Sequence, residues 1–88
     1  MDIHEKVPVY LKHTIRDLRV RKGISQSDAA KMMGVTDPTL RRWEKDSSNL
    51  KMQQIWKISK MYSIPQEYIF FGSNDDFIKM LDEHKEEI

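Results

Sequence analysis

The sequence predicts an all-α fold: a compact bundle of five short helices with a short helical tail. Three observations predict it. Apolar residues recur at helical spacing in one stretch after another. Gly23, Gly34, Ser63-Ile64-Pro65 and Gly72 punctuate those stretches, and Ser25 and Thr36 stand where helices need N-caps.

Residues 1–10 read as a lead-in without a clear period, and Val7 is biased to extended conformations by Pro8. Such an end is expected to fray. From about Pro8 to Lys22, Leu11, Ile15 and Leu18 fall at i, i+4 and i+7 with Thr14 between them, predicting a first helix that Gly23 ends. Arg16, Arg19, Arg21 and Lys22 crowd its last turns, where cations complement the negative end of the helix dipole.

The organising stretch is residues 26–45, QSDAAKMMGVTDPTLRRWEK. Ser25 caps a second helix, and Asp28 lies three residues on, as in a capping box. Ala29, Ala30 and Met33 form a narrow stripe of mostly small side chains. Gly34 can take positive φ and stop the helix. Thr36 caps a third helix, with Asp37 facing the positive dipole end and Pro38 in a turn where a missing N–H costs little. Leu40 and Trp43 point back at the second helix, while Arg41 and Arg42 lie elsewhere on its surface. Two short helices hinged at a glycine make a helix-turn-helix.

After a polar loop, Asp46-Ser47-Ser48-Asn49, a fourth helix is predicted from about Leu50 or Met52 to Tyr62. Ile55, Ile58, Ser59 and Tyr62 share one face, with Met52 and Trp56 beside it. Pro65 suits the first turn of a short fifth helix, PQEYIFFG, closed by Gly72. The tail, residues 73–88, has cap candidates in Ser73 and Asn74, and Asp75 and Asp76 in its first turn. Its apolar stripe comprises Phe77, Leu81, His84 and Ile88, bordered by Met80. So short a helix is unstable alone. Its stripe must rest on its own domain beside Phe70 and Phe71, or on a second subunit through Phe77, Leu81 and Ile88; an unstructured acidic tail is a third reading.

Eighty-eight residues allow one small domain. There is no cysteine for a disulfide or thiolate metal site, and His4, His13 and His84 are too scattered for a metal cluster, so no cofactor or metal is expected. No apolar run approaches a membrane span and no signal-peptide core is present, so the expected location is cytoplasmic, with the nucleoid. Net charge is +1, but it is unevenly placed. Residues 1–62 carry 13 Lys/Arg against 7 Asp/Glu, and residues 63–88 carry 2 against 7. The basic part holds the helix-turn-helix, which suits a polyanion. No glycine-rich phosphate loop, metal-spaced ligand set or nucleophile–base pair appears, so an enzyme is not expected.

Counting from Gln26, a small residue falls at the fifth position (Ala30), glycine at the ninth (Gly34), and apolar residues at the tenth, fifteenth and eighteenth (Val35, Leu40, Trp43). This pattern resembles the Cro/C1-type (XRE-like) class of helix-turn-helix proteins. The flanks IRDLRVRKGISQSDAA and IWKISKMYSIPQEYIFFG are similar to the same class, so the resemblance covers roughly Leu11 to Gly72. It implies a lambda-repressor-like DNA-binding domain over residues 11–72. It also implies a partly buried ion pair between Arg19 and Glu44. Where Asp46 and Leu50 stand, the class usually has glycine and proline, which leaves the loop's conformation open.

The resemblance implies a sequence-specific regulator of transcription, within that class a repressor, that inserts helix 37–45 into the major groove of double-stranded DNA. Phosphate contacts position such a domain and base contacts specify its site. Gln26 occupies the class's phosphate-facing position, and its amide can also brace a residue of the third helix. Lys45, Ser47 and Ser48 are further phosphate candidates, and Arg41 suits phosphate better than a base. Asp37, Pro38, Thr39 and Arg42 point outward as base-contact candidates. Arg42 can pair bidentately with guanine, and Thr39 can hydrogen-bond or touch a thymine methyl. Asp37 can accept from cytosine N4 or simply serve the helix dipole, and Pro38 can simply shape the helix start. A homodimer on a palindromic operator is expected, since two such helices address half-sites about 34 Å apart.

Two other readings stay open. TLRRWE also resembles the helix-turn-helix of excisionases and MerR-type regulators. A protein-interaction adaptor of antitoxin or antirepressor type would instead use the tail stripe.

Overall fold

The computed structural model describes residues 7–84. The fraying expected of residues 1–10 lies outside the described residues for 1–6 and fails beyond them, where Val9–Leu11 forms a turn packed by the last helix; the side chain of His84 and the role expected of Ile88 also lie outside the described residues. Five α-helices follow one another: α1 (Ile15–Lys22), α2 (Gln26–Met33), α3 (Asp37–Lys45), α4 (Met52–Tyr62) and α5 (Asn74–His84). Two 3-10 turns, Val9–Leu11 and Gln66–Tyr68, complete the regular structure, and no strand is formed among the described residues.

Caps and stops fall where the side chains direct them. Thr14, Ser25, Thr36 and Ser73 accept from the backbone N–H groups of Asp17, Asp28, Thr39 and Asp76, each three residues on. α1, α2 and α4 end alike. The residue after the helix turns left-handed at Gly23, Gly34 and Ser63, and the next N–H reaches back five residues to the carbonyls of Arg19, Ala30 and Ser59. Gly34 thereby sets the turn between α2 and α3.

Ile15, Leu18, Met33, Ile58 and Ile69 are buried together, with Trp43, Leu50, Tyr62 and Phe71 packed around them. A second cluster, Ala29, Ala30 and Leu40, lies between α2 and α3. Both alanines are 0% exposed, so the two helices meet with no room for a larger side chain. Val35 and Trp43 border both clusters and join them.

Two sequence expectations fail, for the same reason. The first helix does not begin near Pro8. Thr14 is extended and caps α1 instead, as a hydroxyl able to bond the backbone locally prefers to do. Leu11 is consequently half exposed, so its match to the helical period was coincidental. The expected helix at Pro65–Gly72 is a single 3-10 turn followed by extended chain. His13 donates to the Tyr68 carbonyl and Phe70 donates to His13, both at 2.8 Å, around a parallel bridge between His13 and Ile69. Each segment satisfies the other's backbone groups, and that removes both from helix.

The tail helix rests on its own domain. The Phe77 ring packs on Phe70 with centroids 4.9 Å apart, and α5 lies against the Val9–Leu11 turn. Ile78 and Met80 stay exposed, and Leu81 is half-buried.

Candidate nucleic-acid interface

α3 is held from behind by one polar network. Arg19 donates to both carboxylate oxygens of Glu44, from Nε to Oε2 at 2.7 Å and from Nη2 to Oε1 at 3.2 Å. Its Nη1 donates to the Ile24 carbonyl at 2.9 Å, so one guanidinium joins α1, α3 and the link into α2. The Gln26 amide donates to Glu44 Oε1 at 3.1 Å. Glu44 is 4% exposed, and no buried side-chain polar atom lacks a partner among the described residues. The pair implied by resemblance is therefore present, and Gln26 braces α3 as expected of its amide.

Tyr62 stands behind the same network. Burial, with the Glu44 carboxylate adding and Arg19 opposing, pushes its phenol from an ordinary 10.0 up to about 12. The folded chain thus holds this proton more tightly than the unfolded one. The resulting stabilisation is complete below pH 10 and should be lost as pH rises from 10 towards about 12. Denaturation midpoints of wild type and Tyr62→Phe across that interval check this. The wild type should lose more stability than the variant; parallel profiles would contradict it.

The outer face of α3 is ordered along its length. The Thr36 hydroxyl donates to the Thr39 hydroxyl at 2.9 Å, and Arg42 Nη2 donates to the same Thr39 oxygen at 3.3 Å. A row of side chains at i, i+3 and i+6 therefore runs from the cap to Arg42. Pro38, Arg41, Arg42 and Lys45 are exposed, and Asp37 and Thr39 are half-buried. Thr36 was read from the sequence only as a cap. The threonine–threonine–arginine spacing of three was the signal for its second role.

Beyond α3, one phosphate candidate is withdrawn. Ser47 is 4% exposed, and its hydroxyl faces the carbonyls of Phe70 and Gly72 and accepts from the Gly72 N–H. It cannot also reach a phosphate. Ser48 is exposed, and its N–H donates to Asp46 Oδ1 at 2.9 Å. Hydrogen bonds from Ser48, side chain first and then backbone, hold the Asp46 carboxyl below its ordinary range. Asp46 itself is extended, with φ −151°, so the loop has no need of glycine there. A cleft of about 710 Å³ opens beside the end of α3, with Arg42, Lys45 and Asn49 on one side and Ser73 and Asp75 on the other.

This arrangement of α2, glycine turn and α3, with flanking helices, agrees with comparison to known proteins. The helix-turn-helix family model matches residues 15–69. The chain belongs to the Cro/C1-type helix-turn-helix family. Within this helix-turn-helix family it is similar to RstR, a transcriptional repressor of the cryptic phage CTXphi from Vibrio cholerae. Identity is 35% over 51 residues, which are 58% of this chain and 46% of the relative. The chain thus matches less than half the length of that protein. Family membership also sets the chain apart from the excisionase and MerR-type reading. No helix among the described residues is long and apolar enough to cross a membrane.

Proposed function

We propose that the protein is a sequence-specific double-stranded DNA-binding regulator of transcription, acting as a repressor, and a binding module rather than an enzyme. One observation carries the reading. α3 presents an ordered row of Thr36, Thr39 and Arg42, flanked by exposed Arg41 and Lys45, on a helix pinned from behind by Arg19, Glu44 and Gln26. An arginine on an exposed helix can pair bidentately with a guanine edge in the major groove, and Thr39 orients it there. Repression follows from the similarity to RstR, a transcriptional repressor.

In this reading Arg42 and Thr39 contact bases, and Pro38 and Asp37 shape the leading edge of α3. Asp37, half-buried in the first turn, serves the helix dipole at least as much as a base. Arg41, Lys45 and Ser48 take phosphates. Gln26 joins them through the part of its amide that Glu44 leaves free. The protein works as a homodimer on a palindromic operator, in the cytoplasm with the nucleoid. With Phe77 occupied by its own Phe70, the dimer contact falls to the outer side of α5, where Ile78 lies exposed, with half-buried Leu81 at its edge. Selection of duplexes from random sequence, followed by a salt titration of the selected fragment, tests the reading. No retention at low salt, with a partner protein co-purifying instead, would favour an adaptor.

A further inference from the structure

α3 and α5 are joined by little besides one seam. α5 packs chiefly on the Val9–Leu11 turn, and residues 69–73, bent at Gly72, run between His13 and the end of α3. On one side the strap pairs with His13. On the other, Asp46 bridges Ser73 antiparallel, and Ser47 N–H donates to the Gly72 carbonyl at 2.9 Å. The Ser47 hydroxyl closes the seam. It accepts from Gly72 N–H at 3.0 Å, and its proton faces the Gly72 carbonyl at 3.3 Å and the Phe70 carbonyl at 3.4 Å. Asp46 N–H in turn donates to Arg42 O at 2.9 Å, so the seam grows directly out of the last turn of α3.

Gly72 lies directly against the Phe70 ring. A Cβ there would stand 2.7 Å from Phe70 Cε2, and that ring is the one on which Phe77 of α5 packs. A continuous set of contacts therefore runs from Arg42 through Ser47 and Gly72 to Phe70, Phe77 and α5.

We propose that Ser47 is a positioning residue whose buried hydroxyl, clasping Gly72 and Phe70, fixes α5 relative to the DNA-reading helix and so sets the half-site spacing that a dimer accepts. The spacing half of this rests on the function proposed above; the clasp does not. The hydroxyl accepts from the Gly72 N–H and shares its one proton between the Phe70 and Gly72 carbonyls, which no apolar side chain of that size can do. Without it, the Gly72 N–H loses its side-chain acceptor, and on the α3 side the strap keeps only the backbone pairing of Asp46 and Ser47 with Ser73 and Gly72. A second copy docked on α5 would then present its own α3 at a variable distance.

Hydrogen exchange on the full chain tests the clasp without DNA. In Ser47→Ala the α5 amides should exchange about tenfold faster, while α2 and α4 keep their wild-type rates. Gly72→Ala, which displaces the Phe70 ring and keeps the serine, should loosen α5 in the same way. Unchanged α5 rates, or equal acceleration in every helix, overturn the proposal. On duplexes, Ser47→Ala should match wild type on a single half-site and lose the sharp optimum when two half-sites are stepped apart. An optimum as sharp as wild type's also overturns it. If the wild type binds no duplex, the DNA reading fails, and the exchange rates still decide the clasp.

Discussion

Arg19→Met should cost about 3–5 kcal/mol of folding stability, because it strands a buried carboxylate. Glu44 is 4% exposed and receives two hydrogen bonds from Arg19 and one from Gln26. Methionine has a similar reach and no donor, so Glu44 would keep one neutral amide in a site from which water is largely excluded. The Ile24 carbonyl loses its donor as well. A domain of this size has roughly 5–15 kcal/mol in all, so the loss is a large part of the total. The native pair need not be strongly stabilising compared with an apolar replacement of both residues, since desolvating two charges offsets most of their attraction. The asymmetry lies in removing one partner. Chemical denaturation of wild type and variant measures it. A change of under about 1 kcal/mol, the value of a solvated pair, would mean that Glu44 does not depend on Arg19.

Arg42→Ala should act on recognition and leave stability nearly untouched. Arg42 is exposed and its guanidinium bonds the Thr39 hydroxyl at the surface, so loss of the side chain should change folding by less than about 0.5 kcal/mol. If it reads a guanine through two hydrogen bonds, the preference at one base pair should fall by about 1–3 kcal/mol, roughly 5- to 150-fold. Every other position of the site should keep its preference. Affinities for a panel of single-base variants of the site, with wild type and variant side by side, resolve this. Uniform weakening across the panel, with a salt dependence shallower by about one phosphate, would make Arg42 a phosphate ligand instead.

What could be read from the sequence was what local chemistry decides. The Ser25 and Thr36 caps, the stop at Gly34 and the two alanines at the α2–α3 contact are each dictated within a few residues, and each stands as expected. The Arg19–Glu44 pair spans 25 residues and no local pattern specifies it; resemblance to a known family supplied it. Backbone pairing between distant segments has no such guide. Nothing near His13 announces that it pairs with Ile69, so the local pattern makes Leu11 continue a helix and Pro65–Gly72 form one. Ser47 was misplaced for a related reason. A serine in a polar loop reads as solvated, and only the approach of Gly72 and Phe70 gives its hydroxyl backbone partners and buries it. The choice between the tail's own domain and a second subunit was likewise beyond the pattern of its stripe. It is the Phe70 ring, set at the end of the strap, that gives Phe77 an intramolecular partner.

The central claim is that α3 reads base sequence in the major groove. Selection from random duplexes tests it most directly. The expected result is one two-fold symmetric motif, with half-sites about one helical turn apart, whose retention falls steeply as salt rises and whose strongest position disappears in Arg42→Ala. Enrichment of no motif, with binding absent even at low salt, would contradict the claim.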